Sequence, residues 1–345
     1  MRQTTFMQIF SDLHGAISDG TLLPGMPLPS ENTLAQQYST SRPTVRKAIK
    51  MLSEQSLIVR KQGIGSVVAE KKQEKPLIFG LDLELQSSSY HYYQKIIKGI
   101  SSVAESGKHK LQIISLESDL AAAAEGVDGF ILSHIRNDQE KFNEFAKLAG
   151  QGTPVVLINR FPVNPELSYI SVDYRKEMFR AVSCLLKNGA RNVLLYAPFS
   201  CKEPQFVSRI EGWRQAYREN GLAVPELLVF DDDSPEDGER FLRQLKSGGT
   251  DVLFVSQGDE FFQAMQAVVA AGLRVPEDIS IFCFDDMEFL SDRMGIPLSF
   301  IKMPLEKMGR LAAEYLIRKN RDRTSLPIHL VFETSLVING CKFLL

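Results

Sequence analysis

The sequence predicts an α/β fold: an N-terminal winged helix-turn-helix followed by a two-lobed α/β body. Three observations carry this. Three amphipathic helical segments precede a glycine-containing hairpin in residues 1–70. A charged run ending in proline follows at 71–76. From 77 to 345 short apolar strands alternate with amphipathic helices.

The first helix places Phe6, Ile9, Phe10, Leu13 and Ile17 on one face. A Gly- and Pro-rich turn spans Gly20 to Pro29. Ser30 is a fitting N-cap for the second helix, with Glu31 well placed against the helix dipole. Leu34, Ala35 and Tyr38 form the inner face of that helix. Ser41 is expected to cap a third helix running to about Gln55, in which Val45, Ala48, Ile49 and Leu52 are the buried stripe. Leu57–Val59 and Ser66–Val68 read as the two strands of a hairpin, with Gly63 and Gly65 suited to its tight turn. The segment Glu70-Lys71-Lys72-Gln73-Glu74-Lys75-Pro76 has no apolar periodicity and reads as a linker.

In the body, strands are expected to begin near Ile78, Gln112, Gly129, Val155, Asn192, Leu227, Val252 and Ser280. Helices between them include Met178–Lys187 and Phe261–Ala271. About 270 residues of this alternation suffice for two lobes of parallel sheet.

Composition narrows the function classes. At 44% hydrophobic and 24% charged residues, the chain is of globular type. Its apolar runs are too short for a membrane span, and no signal-type apolar core follows Met1. A cytoplasmic location with no membrane partner is expected. Cys184, Cys201, Cys283 and Cys341 form no CxxC pair, and the five histidines have no metal-ligand spacing. No cofactor or metal is therefore expected. The net charge of −2 conceals an asymmetry. Residues 1–75 hold 10 Lys/Arg against 6 Asp/Glu, and the remainder 30 against 36. A basic head on an acidic body fits nucleic-acid binding by the head alone.

With Val45, Ala48, Ile49 and Leu52 inside, the third helix turns Arg42, Arg46, Lys47 and Lys50 outward. Arg42 and Arg46 are four apart near the helix start, the end that enters a major groove. Arginine can grip guanine through two hydrogen bonds, either basic residue can hold phosphate, and Thr44 can serve base edge or backbone. Lys61, Gln62 and Gly63 at the wing can lie in the minor groove or along phosphates. Gly63-x-Gly65 lacks the third glycine and following helix of a dinucleotide site.

In the body, polar groups follow several strands: Asn159-Arg160, Gln257-Gly258-Asp259, Asp285-Asp286, and Tyr90, Tyr92 and Tyr93. Ligands of open α/β sheets bind beyond the carboxyl ends of strands. Carboxylates and arginines beside aromatic faces suit a polyol ring. Asp231-Asp232-Asp233 reads as a solvated loop end. No acid–base pair, phosphate loop or nucleophile elbow stands at workable spacing, which disfavours an enzyme. The basic head disfavours a sugar-transport protein.

The stretch LPSENTLAQQYSTSRPTVRKAIKMLSEQSLIVRKQGIGSVVAE resembles the DNA-binding domain of the GntR family. It has Pro29-Ser30-Glu31, Ser41-Arg42-Pro43-Thr44-Val45-Arg46 and Gly63-Ile64-Gly65 in the family's order. By that resemblance Arg42, Thr44, Arg46 and Gly63 contact double-stranded operator DNA. Asn32 stands where some relatives carry a DNA-touching Arg. PEDISIFCFDD, IPLSFIKMPLEKMGRLAAEYLI, SVDYRKEMFRAVSCLLKNGARNVLLY and SRIEGWRQAYRENG resemble the LacI-family regulatory core, which is similar to type I periplasmic sugar-binding proteins. The resemblance covers roughly residues 77 to 340. It implies that Arg209, Asp285 and Asp259 bind a monosaccharide effector between the lobes, with Asn159 replacing a frequent Asp. It also implies hinge crossings near Val172, Lys302 and Glu333, and a homodimer. The loop after the first body strand departs from the family's usual pattern. A GntR-type head on a LacI-type body is the layout of AraR-type repressors, and the chain resembles them in this. The layout leaves open which sugar binds and the sign of regulation.

Overall fold

The computed structural model describes residues 5–55, 57–69, 75–83, 90–115, 125–135, 139–162, 164–198, 203–225, 227, 229–230 and 234–343. Cys201, Asp231–Asp233, most of the linker and the start of the loop leading to Tyr90 lie outside them. Tyr90 opens a helix, but its side chain is also outside.

The chain divides into a unit of Met1–Lys75 and a unit of Pro76–Leu345. In the first, α1 (Thr5–Ser18), α2 (Glu31–Gln37) and α3 (Arg42–Glu54) pack around Ile9, Leu13, Leu34, Val45, Ala48 and Leu52. Ser30 caps α2, its hydroxyl accepting from the Thr33 N–H. Ser41 holds the N-cap position of α3, but its hydroxyl bonds the Thr44 hydroxyl at 2.9 Å instead of a backbone N–H. Strands β1 (Ile58–Lys61) and β2 (Gly65–Val68) pair antiparallel, Lys61 opposite Gly65. The reversal needs left-handed backbone at Gly63 (φ 81°) and Gly65 (φ 102°), which only glycine adopts without strain. Inward Ile58 and Val68 join the helical core.

The second unit holds two sheets. The first orders as β13-β7-β6-β5-β3-β4, from β3 (Ile78–Asp82), β4 (Lys110–Ile113), β5 (Gly129–Leu132), β6 (Val155–Ile158), β7 (Ser168–Val172) and β13 (His329–Phe332), all parallel. The second orders as β14-β12-β11-β10-β8-β9, from β8 (Val193–Pro198), β9 (Val229–Phe230), β10 (Val252–Val255), β11 (Ser280–Cys283), β12 (Ser299–Lys302) and an antiparallel edge strand β14 (Ser335–Val337). Their central strands are buried on both faces, as parallel strands between helical layers must be.

The chain passes between the sheets three times: after Val172, after Lys302 and after Phe332. After the first crossing α6 (Tyr174–Lys187), capped by the Asp173 carboxylate, packs on α7 (Pro204–Glu219) in the second lobe. After the second, α11 (Leu305–Arg321) returns to the first lobe and packs on α4 (Tyr90–Gly107). Glycines set that contact: a Cβ on Gly99 would meet the Glu306 carbonyl at 2.0 Å, and one on Gly309 the Ile96 carbonyl at 2.2 Å. The other body helices are α5 (Gln139–Gly150), α8 (Pro235–Lys246), α9 (Phe261–Ala270) and α10 (Glu288–Met294).

Alternation of apolar segments predicted the central strands within two residues. It did not mark β7, β12, β13 or β14. Ser168 and Ser171 interrupt the apolar residues of β7, Ser299 and Lys302 bound β12, and β13 and β14 are partly exposed edge strands.

Candidate functional site

Two places gather the predicted residues. On the head, Arg42, Arg46 and Lys50 stand one turn apart along the exposed row of α3. The carboxylate of Glu31 in α2 ties the first two together. Arg46 Nε donates to its Oε2 at 2.8 Å, and an Arg42 terminal nitrogen lies 3.5 Å from the same oxygen. Glu31 therefore does more than complement the helix dipole: it orders two arginines while most of each remains exposed. Lys50 pairs with Glu54 at 3.7 Å across one exposed turn. Lys47 differs, its ammonium lying 4.0 Å over the Phe6 ring of α1. Thr44 is held by Ser41 and half-buried. Lys61, Gln62 and Gly63 are exposed at the wing. Ile64 at its tip is 63% exposed, an apolar group among the basic and polar ones of the wing.

In the body, a cavity of about 240 Å³ lies where the strand ends of both lobes meet. Tyr92, Arg160, Arg209, Asp259 and Asp285, all predicted, line it. Arg209, on α7, is 5% exposed. Its guanidinium sits 4.1 Å over the ring of Phe284, 4.8 Å over Tyr174 and 5.3 Å over Phe206. It donates to the Ser256 carbonyl at 2.5 Å, and its Nε has no hydrogen-bond partner among the described residues. A buried donor without a partner is costly, and clustered ones mark places where a polar ligand binds. Asp285, at the end of β11, accepts from the Gly258 N–H at 2.7 Å. Burial pushes its carboxyl above the ordinary range, opposed by the nearby Arg209 guanidinium and the Gly258 bond.

The opposite wall belongs to the first lobe. Asn159 is fully buried in left-handed backbone (φ 56°) just past β6. It is absent from the lining of this cavity and sits behind it, donating from Nδ2 to the Tyr92 hydroxyl at 2.5 Å. The Tyr174 hydroxyl donates to the Asn159 carbonyl at 3.1 Å. Arg160 is fixed by bonds to the carbonyls of Ile135 and Asn159, each at 2.9 Å. Burial raises the phenol pKa of Tyr92 and of Tyr174, so both remain neutral hydroxyls.

Sequence reasoning missed Glu203, Gln205, Phe206, Tyr174 and His134, which also line the cavity. The strand-end rule that found Asp285 would have found Glu203 and Gln205, since Glu203 follows β8 just before α7 and Gln205 lies in the first turn of α7. Tyr174 carries no such signal, because it begins a helix just after a crossing. Among the described residues no group of three metal-ligating side chains converges, and no helix is long and apolar enough to cross a membrane.

The two units resemble known proteins. Residues 6–68 match the bacterial regulatory proteins of the gntR family, and residues 182–340 match a periplasmic binding protein-like domain. The chain is 25% identical over 348 residues to the arabinose metabolism transcriptional repressor of Halalkalibacterium halodurans, covering 94% of this chain and 92% of the relative. It is 26% identical over 322 residues to the HTH-type transcriptional regulator CelR of Thermobifida fusca, covering 88% and 90%. A solved complex of a transcriptional regulator CelR with cellobiose has the same fold. Its TM-score is 0.64 at 21% identity, over 91% of this chain and 100% of that one. The chain is a DNA-binding transcription regulator. More narrowly, it joins a head that matches the gntR family to a body that carries a periplasmic binding protein-like domain.

Proposed function

We propose that the chain represses sugar-utilisation genes and is released from its operator by a sugar bound between the lobes of the body. One observation carries this reading. A buried arginine laid on three aromatic faces shares an inter-lobe cavity with a half-buried aspartate. Guanidinium and carboxylate offer paired hydrogen bonds to neighbouring hydroxyls, and aromatic rings cover the apolar face of a pyranose or furanose. Arg209, Asp285, Asp259, Arg160 and Tyr92 are assigned to the effector, with Asn159 positioning Tyr92. The repressor names of the full-length relatives support the sign of regulation.

Arg42, Thr44 and Arg46 are assigned to base and backbone contacts in the major groove. Lys47, Lys50, Lys61, Gln62 and Gly63 are assigned to the DNA backbone and wing contacts. Two heads of a homodimer would read two operator half-sites in the cytoplasm. The body binds its effector without transforming it. Control requires only that the sugar favour the low-affinity state by about 1–3 kcal/mol of coupling.

The test is a thermal-shift screen of the full chain against sugars and their phosphates, followed by operator release by any hit. A ligand at about 100 times its Kd adds about 2.7 kcal/mol to stability. A DNA-binding protein that no sugar stabilises would refute the effector assignment.

A further inference from the structure

Beside the polar cavity lies a second one of about 280 Å³. The two share Arg160, Tyr174 and Gln205 as a common wall. Their chemistry differs. The first is lined by five charged residues, Arg160, Glu203, Arg209, Asp259 and Asp285. The second has Arg160 as its single charged residue, with Phe142, Phe161, Tyr174 and Pro204 as apolar walls. Phe161 is 46% exposed although its ring meets Tyr169 at 5.2 Å and Tyr174 at 6.5 Å, so a supported aromatic face is open to the cleft. The compartment is not wholly apolar. Gln205 and Ser208 line it, as does Asn159, whose buried Oδ1 has no partner among the described residues. Each compartment alone is smaller than the common ligand pocket of about 300–1,000 Å³, and the pair falls inside that range.

Building on the assignment of this cleft to a sugar, we propose that the effector is a disaccharide. One ring occupies the charged compartment between Arg209 and Asp285. The linked second ring stacks on Phe161, with its hydroxyls on Asn159, Gln205 and Ser208. The second compartment is walled by both lobes: Phe142 and Phe161 come from the first, and Pro204, Gln205 and Ser208 from the second. The second ring therefore contributes to lobe closure as well as to affinity. An aryl group would leave the Asn159 oxygen unsatisfied, which favours a sugar there.

Calorimetry on the full chain tests this. The titrants are free aldoses (glucose, galactose, xylose, arabinose) and disaccharides built from them (cellobiose, maltose, lactose, xylobiose). The best disaccharide is expected to bind at least roughly tenfold more tightly than its component sugars. Phe161→Ala should abolish that gain and leave monosaccharide binding within about twofold, and Phe161→Trp should restore it. A monosaccharide that binds as tightly as every disaccharide overturns the second subsite and leaves the sugar reading standing. So does a disaccharide gain that survives Phe161→Ala. If no saccharide of either size binds, the sugar reading and the subsite fall together.

Discussion

Arg209→Ala should disable the sensor while sparing the DNA reader. The side chain is buried, its guanidinium lies over Phe284 at 4.1 Å, and one nitrogen already bonds the Ser256 carbonyl. Truncation removes the cation opposite Asp285 and the donors assigned to the sugar. A hydrogen bond to a charged group contributes about 1.5–3 kcal/mol. Loss of one such bond weakens sugar binding by about 10- to 150-fold, and loss of a paired set by more. Arg209→Lys should fall between, since an ammonium keeps the charge but not the planar fork. Calorimetry gives the sugar Kd, and mobility shift of operator DNA with and without sugar gives the coupling. The variant should bind operator as the parent does, yet require correspondingly more sugar for release. An Arg209→Ala protein that is folded and binds sugar within about threefold of the parent would refute the placement of the ligand against this arginine.

Other perturbations address the remaining assignments. Burial raises the Asp285 pKa, so acidification protonates the acceptor within the cavity. Sugar affinity should fall as pH drops through that raised value, and Asp285→Asn should flatten the calorimetric pH profile. The ligand-free fold should move oppositely. A carboxyl that holds its proton more tightly when folded adds stability as pH falls between the raised value and its unfolded value near 3.8. On the head, Arg46→Ala should cost about 1–3 kcal/mol of operator discrimination. Lys50→Ala should weaken all DNA alike and reduce the salt slope by about 0.9, as fluorescence anisotropy at several salt concentrations would show. Gly309→Ala should lower the melting temperature of the body, because its Cβ would fall 2.2 Å from the Ile96 carbonyl. Overpacking costs about 1–3 kcal/mol, more than the roughly 1 kcal/mol that alanine gains in helix propensity. An unchanged melting curve would contradict the tight α4–α11 contact.

Much of this was legible because the physics involved is local. The Ser30 cap, the inner face of α3 and the two wing glycines are each set by neighbours within a few residues. The central body strands announce themselves through continuous apolar runs. Arg209 and Asp285 could be singled out one at a time, from the Ser-Arg-x-x-Gly resemblance and from a carboxylate following a strand. Their meeting with Tyr174 and Phe284 could not. These groups are far apart in the chain and converge only through sheet order. Asn159 illustrates the same limit. Its place after β6 suggested a ligand contact, but not that the left-handed turn there would send its Nδ2 to Tyr92 and leave its Oδ1 to the second cavity. Glu31 is the reverse case: a residue read as a helix-dipole partner also holds two arginines from another helix.

The three crossings also decide how this chain can be recombined. The first lobe is assembled from two separate stretches, one ending near Val172 and the other running from about Met303 to Phe332. The second lobe takes the stretch between them and the C-terminal end. No single junction exchanges one lobe for that of a relative. A cut after Lys302 strips α11 and β13 from one lobe and β14 from the other, so a hybrid joined there is expected to be insoluble. The head is continuous in sequence, with its boundary at Lys75. Operator choice can therefore be transferred by one splice, whereas a graft of a single lobe needs three coordinated ones. Duplication and fusion of genes can readily pair this body with other heads, while the body itself is inherited whole.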